Sequence, residues 1–138
     1  MGDAEWWRLQ AEMLARLLVA SALGAAVGFE RQRADKPAQT RDHLLVALGA
    51  AAFTVASIFG FGPGDPGRVA AQIVTGIGFL GAGVIIRQGS TIVGVTTAAS
   101  IWVAAAIGLA VGAGLYVVGV FAALLSVLAL RLRHRTEG

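Results

Sequence analysis

Five runs of mostly apolar residues, each about as long as a lipid bilayer's hydrocarbon core is thick, constrain this chain more than any other feature. They extend from about Leu9 to Phe29, His43 to Phe61, Val69 to Ile86, Val95 to Val111 and Leu115 to Leu132. A helix that crosses the hydrocarbon needs about 20 such residues. Charged residues are only 14% of the chain, against roughly 25% in a soluble domain. A water-facing surface cannot be assembled from that supply, so lipid is the solvent for most of the molecule. No run alternates with a period of two, which argues against the strands of a membrane barrel. The expected fold is all-α: one domain over residues 1–138, a polytopic membrane helix bundle of about five transmembrane helices.

The breaks between the runs are chemically distinct. Glu30-Arg31-Gln32-Arg33-Ala34-Asp35-Lys36-Pro37 is polar and ends in a helix breaker. The segment from Gly60 to Arg68, with Pro63 and Pro66 among its glycines, reads as a turn. Arg87-Gln88-Gly89-Ser90 and Gly112-Ala113-Gly114 follow. A single helix from Val93 to Leu132 would be about 60 Å long, twice the hydrocarbon thickness of roughly 30 Å, so the last two runs are expected to form a hairpin. Arg31, Arg33, Lys36, Arg41, Arg87, Arg131, Arg133 and Arg135 fall on one side of this alternation, and Arg8, Arg16 and Arg68 on the other. Basic residues favour the cytoplasmic side, which places the N-terminus outside and the C-terminus in the cytoplasm. The net charge of +3 is thus a topology signal and not a sign of nucleic-acid binding. Trp6 and Trp7 suit an interfacial belt. Glu12 and Arg16 interrupt the first run where a signal peptide would be uniformly apolar, so that run is expected to remain as a helix.

The run from Gly76 to Gly83 contains a G-x-G-x-x-G pattern. A dinucleotide site needs a preceding strand and a distant acidic residue, and neither context exists here. In a membrane, small residues let helix backbones approach closely. Helix packing is therefore expected at Gly24 and Gly28, at Gly76, Gly78, Gly81 and Gly83, and at Gly108 and Gly112, which continue a ladder from Ala104. The glycine-rich third span is expected at the centre of the bundle.

Polar residues inside or beside the spans are few. Glu12 and Arg16 stand at i, i+4 in the favoured order. Buried, such a pair is costly and functional; near the interface it snorkels, and the second reading is preferred. Gln72, Thr75, Thr96, Thr97 and Ser100 serve either as interhelical glue, the preferred reading, or as the lining of an ion path. On the path reading, Glu30, Arg41, Asp65 and Arg68 mark its mouths. Magnesium is held by one or two carboxylates and several waters, which Glu30 with Asp42, or Asp65, could supply; no metal-ligand spacing is diagnostic, and no other cofactor is expected. Trp102 reads as packing and His134 as a membrane-surface contact. The chain has no cysteine and no nucleophile–base constellation, so it is not expected to be an enzyme.

Three blocks in order resemble the MgtC/SapB membrane proteins. The first is Gly28-Phe29-Glu30-Arg31 with Lys36-Pro37-Ala38, Arg41 and His43-Leu44-Leu45-Val46. The second runs from Asp65-Pro66-Gly67-Arg68 through Gln72 and Thr75 to Gly83. The third is Gly94-Val95-Thr96-Thr97-Ala98-Ala99-Ser100 with Trp102. The likeness covers nearly the whole chain. It departs at Gln39-Thr40-Arg41-Asp42-His43, where the family usually has Gly-Leu-Arg-Thr-His, and the chain is expected to lack the C-terminal ACT-like module of many members. The resemblance implies a bacterial inner-membrane protein linked to growth in low magnesium, to survival of pathogens inside macrophages and, in some members, to interference with the membrane ATP synthase. The expected function is that of a non-enzymatic, homo-oligomeric regulator of magnesium or proton-motive-force homeostasis, acting through helix contacts. The alternative is a small magnesium or other ion transporter or channel.

Overall fold

A computed structural model describes residues 2–132. Five helices follow one another: α1 (Asp3–Arg33), α2 (Thr40–Phe59), α3 (Gly67–Gly83), α4 (Val95–Gly112) and α5 (Tyr116–Arg131). A short hairpin, β1 (Ile86–Gln88) and β2 (Thr91–Val93), separates α3 from α4. Three helices, α1, α2 and α4, are long and apolar enough to cross a membrane. With 17 and 16 residues, α3 and α5 are each about 25 Å long, slightly less than the hydrocarbon thickness.

Local chemistry sets several helix ends. Asp3 and Glu5 occupy the first turn of α1 and Arg31 and Arg33 its last, the arrangement that opposes the helix dipole favourably. This helix starts at Asp3 and not near Leu9: Ala4, Glu5 and Arg8 are good helix formers, and a helix need not end where the apolar run does. At the start of α2, Asp42 Oδ2 accepts the Gln39 N–H at 2.9 Å. At the start of α3, Asp65 Oδ1 accepts the Gly67 N–H at 2.8 Å.

The third helix stops at Gly83, short of Ile86, because residues 86–93 pair as an antiparallel hairpin with Arg87 opposite Ile92. The turn is Gly89-Ser90, and Gly89 has φ +62, the left-handed backbone that two-residue hairpin turns demand. Strands of three residues are too short for alternation to register in the sequence, which is why no strand is expected there. Gly94 has φ +92, and a side chain on it would collide with the Val84 carbonyl.

Helix α4 is the centre of the bundle, flanked by α1, α2, α3 and α5. Its Ile101, Ala104, Ala105, Ile107 and Val111 are buried. Ala47 of α2, fully buried, lies between two glycines. A Cβ placed on Gly24 of α1 would sit 2.6 Å from the Ala47 Cβ, and one placed on Gly108 of α4 would overlap the Ala47 carbonyl oxygen. One turn along each helix the pattern repeats, with Gly28 against Thr40 of α2 and Gly112 against Ala51 and Thr54. These contacts bring three backbones together where lipid offers no hydrophobic drive and close packing supplies the attraction.

The expectation that the glycine-rich α3 forms the centre is corrected. Gly76, Gly78 and Gly83 have nothing within 4 Å of a would-be Cβ, and Gly81 makes only ordinary contact with Ala98, at 3.7 Å. Helix α3 packs mainly on α4 and only lightly on α2, burying Ile77 and Gly81. Glycine permits close approach but does not drive it. The drive comes from a complementary partner surface, which α4 has and α3 has on one edge alone.

Candidate functional site

Buried polar side chains gather towards the two ends of the bundle, with an apolar layer between them. At one end α1 finishes, α2 begins and α4 begins, and their termini carry Arg31, His43, Thr97 and Ser100. All four are buried, with His43 fully enclosed. Arg31 Nη2 donates to Thr97 Oγ1 at 2.9 Å. Its Nε is buried without a partner, and among the described residues Arg31 forms no ion pair. The His43 ring links α2 to α4: Nδ1 lies 2.8 Å from the Gln39 carbonyl and Nε2 lies 2.9 Å from Ser100 Oγ. A carbonyl only accepts, so Nδ1 carries the hydrogen. The Ser100 hydroxyl has one hydrogen and two acceptors within reach, Nε2 of His43 and the Thr97 carbonyl at 2.8 Å. With a neutral ring, Ser100 donates to Nε2. With a charged ring, Nε2 donates to Ser100, whose hydrogen turns to the Thr97 carbonyl.

At the other end Arg16 joins four helices. Its Nε donates to Glu12 Oε1 at 3.1 Å and its Nη1 to the Gly112 carbonyl at 3.0 Å. The Tyr116 hydroxyl donates to the same Glu12 oxygen at 2.8 Å, and the guanidinium stands 5.3 Å from the centre of the Phe59 ring. The Arg16 side chain is 14% exposed and that of Glu12 44%, so this is a partly buried network that joins α1, α2, α4 and α5 and not a pair that merely snorkels. Between the two ends lie Ala20, Val27, Ala51, Ile107 and Val111, all fully buried and apolar.

The residues singled out from the sequence separate accordingly. Asp65, Arg68 and Gln72 line one cavity of about 550 Å³ with Ser57 and Phe61 at the α2–α3 turn. Glu30 lies at the opposite end, where its Oε2 accepts from Arg131 Nε at 3.1 Å. Arg41 and Thr96 are exposed, and the exposed Thr75 hydroxyl donates to Ala71 of its own helix at 3.1 Å. Thr97 is buried against Arg31. Arg31 and His43 were legible in the sequence only as motif residues at helix ends. The signal that marks them is that each lies three or four residues from a glycine or alanine at which backbones meet, Gly28 and Ala47. Among the described residues no group of three or more His, Cys, Asp or Glu could hold a metal ion. Glu30 and Asp42 are each engaged, one by Arg131 and one by the Gln39 N–H.

The Glu30–Arg131 pair is open to solvent at its arginine, which is 58% exposed. Exposed pairs contribute ~0–1 kcal/mol. Glu30→Gln is therefore expected to change stability by about 0.5 kcal/mol or less, as read by thermal unfolding of the purified protein in detergent.

The fold and its polar ends define an integral membrane helix bundle. The chain belongs to the MgtC family, whose model matches residues 17–138. It is 42% identical over 135 residues to the "Putative magnesium transporter YhiD" of Escherichia coli K12, covering 92% of this chain and 63% of the relative. It is 50% identical over 109 residues to Protein MgtC of Brucella abortus strain 2308, covering 79% and 46%. It is 52% identical over 98 residues to Protein MgtC of Salmonella typhimurium strain 14028s, covering 71% and 42%. The chain thus spans about half the length of these curated relatives. No solved structure matches it.

Proposed function

We propose that this chain is a non-enzymatic regulator in magnesium or proton-motive-force homeostasis, acting by helix contact as a multi-pass protein of the bacterial inner membrane with its N-terminus outside. The apolar seam carries this reading. The polar ends are separated by the apolar layer of Ala20, Val27, Ala51, Ile107 and Val111, and backbones meet at Gly24, Gly28, Gly108 and Gly112. Such a seam offers an ion no polar groups to replace its hydration shell, and a desolvated ion in hydrocarbon is very costly. What it offers instead is a rigid scaffold that leaves α3 free on most of its surface to meet a partner, including a second copy.

One observation favours a transporter as the second reading. Asp65, Arg68 and Gln72 share a cavity, and E. coli YhiD bears the name of a magnesium transporter. Magnesium flux into liposomes holding the purified protein, read by an entrapped dye with and without a membrane potential, separates the two. The regulator reading expects flux no greater than in protein-free liposomes. Protein-dependent flux that Asp65→Asn or Gln72→Ala abolishes overturns it in favour of transport.

A further inference from the structure

Helix α3 touches α2 so lightly that a groove opens between them, with α4 as its floor. Its volume is about 520 Å³ and its lining is almost wholly apolar, including Leu45, Phe53, Ile73 and Leu80. Two glycines hollow it out: a Cβ on Gly49 of α2 or Gly76 of α3 would meet no atom within 4 Å. At one end the groove runs into the polar cavity lined by Asp65 and Arg68, the two sharing Val69 and Gln72.

We propose that this groove and its mouth form a binding site for one phospholipid with a zwitterionic, amine-bearing headgroup. Length is the first argument. From Val69 to Leu80 the groove follows eleven helical steps of α3, about 16 Å. That is close to half of the roughly 30 Å hydrocarbon core, the depth of one leaflet, so the groove accepts one acyl chain lying along the helices. Position is the second argument. The polar mouth lies at the end of α3 that begins the helix, where a headgroup sits when its chain follows the groove inward. Charge is the third. Among the described residues Arg68 forms no ion pair, and a guanidinium binds phosphate oxygens well. Asp65 uses Oδ1 on the Gly67 N–H, which leaves Oδ2 to accept from an ammonium. A cation and a carboxylate in one cavity complement a phosphate and an amine, whereas a headgroup with only negative charge meets repulsion from Asp65. The inference rests on neither functional reading above.

The test uses the whole protein in bilayers of phosphatidylethanolamine and phosphatidylglycerol at equal mole fraction. The protein is extracted into mild detergent, and retained lipid is counted by native mass spectrometry. The wild-type protein is expected to keep one phosphatidylethanolamine per chain. Gly76→Leu projects a side chain into the groove from a position where an added Cβ meets no atom within 4 Å, and Arg68→Gln removes the phosphate partner. Each is expected to lower retention at least fivefold while circular dichroism stays helical. Asp65→Asn can still cap α3 and is expected to retain lipid but lose the preference for the amine headgroup. No retained lipid in the wild type, or equal retention in Gly76→Leu and Arg68→Gln, overturns the proposal. So does a second chain in the groove, seen as ready disulfide dimerisation of Leu80→Cys in a protein that otherwise has no cysteine.

Discussion

Replacing Gly108 with alanine is expected to be among the most damaging single-methyl changes this protein can suffer. The added carbon would overlap the carbonyl oxygen of Ala47 and press on its Cα, 2.9 Å away. Backbone cannot rotate aside as a long side chain can, so α4 must move off α2. Moving α4 also disturbs its neighbours, because Ala47 is simultaneously held by Gly24 of α1. Overpacking a tight core costs about 1–3 kcal/mol, and a backbone neighbour puts this site at the upper end, roughly 3 kcal/mol. The expected result is a much lower thermal midpoint and loss of folded protein from the membrane. Gly78→Ala is the matched control: it adds the same methyl where no atom lies within 4 Å and is expected to shift stability by about 0.5 kcal/mol or less. Equal losses at the two positions, measured by thermal unfolding in one detergent, would show that close approach of α4 and α2 is not what holds the bundle.

The second large effect is an inversion of the usual ranking between a charge and its partner. Thr97→Val keeps the shape of the side chain but removes the oxygen that accepts from Arg31 Nη2. Arg31 is buried, and its Nε already lacks a partner. Leaving a buried hydrogen-bonding group without its partner costs about 1–3 kcal/mol, and more when that group is charged, as Arg31 is. Arg31→Met removes the charge itself and leaves behind a hydroxyl, whose loss of one hydrogen bond costs about 1–3 kcal/mol. Thr97→Val is therefore expected to be the more destabilising of the two, and adding Arg31→Met to it should recover stability. A double variant less stable than Thr97→Val alone would show that Arg31 stabilises the bundle by its charge and not merely by being matched.

Both effects depend on residues whose types were legible and whose meetings were not. Gly24 and Gly28, like Ala104, Gly108 and Gly112, stand at i+4 spacing, which puts them on one helix face and marks that face for contact. Glycine content picks out Gly76, Gly78, Gly81 and Gly83 of α3 as well, yet no two of these stand at i+4 and three of them meet open space within the chain. Spacing names a face and is silent about what stands opposite. Thr97 and Ser100 share a face by their i, i+3 spacing, but their partners Arg31 and His43 lie 66 and 57 residues away. No local pattern encodes a separation of that kind. The hairpin from Ile86 to Val93 was hidden for another reason, since three residues per strand are too few to display a period.

The sequence by itself determined the solvent of this protein, its helical class, the places where its helices break and the family to which it belongs. Those properties follow from lengths and compositions of continuous segments, because a bilayer selects for apolar run length and for backbone groups satisfied within the segment. Only the tertiary structure decided that α4 and not α3 is the centre, that Arg31 and His43 are drawn inside with Thr97 and Ser100, and that Arg16 ties one end of the bundle together. In lipid, helices do not sort themselves by hydrophobicity, since every apolar face is equally at home. They sort by which surfaces fit, and fit is a property of two segments that neither contains alone.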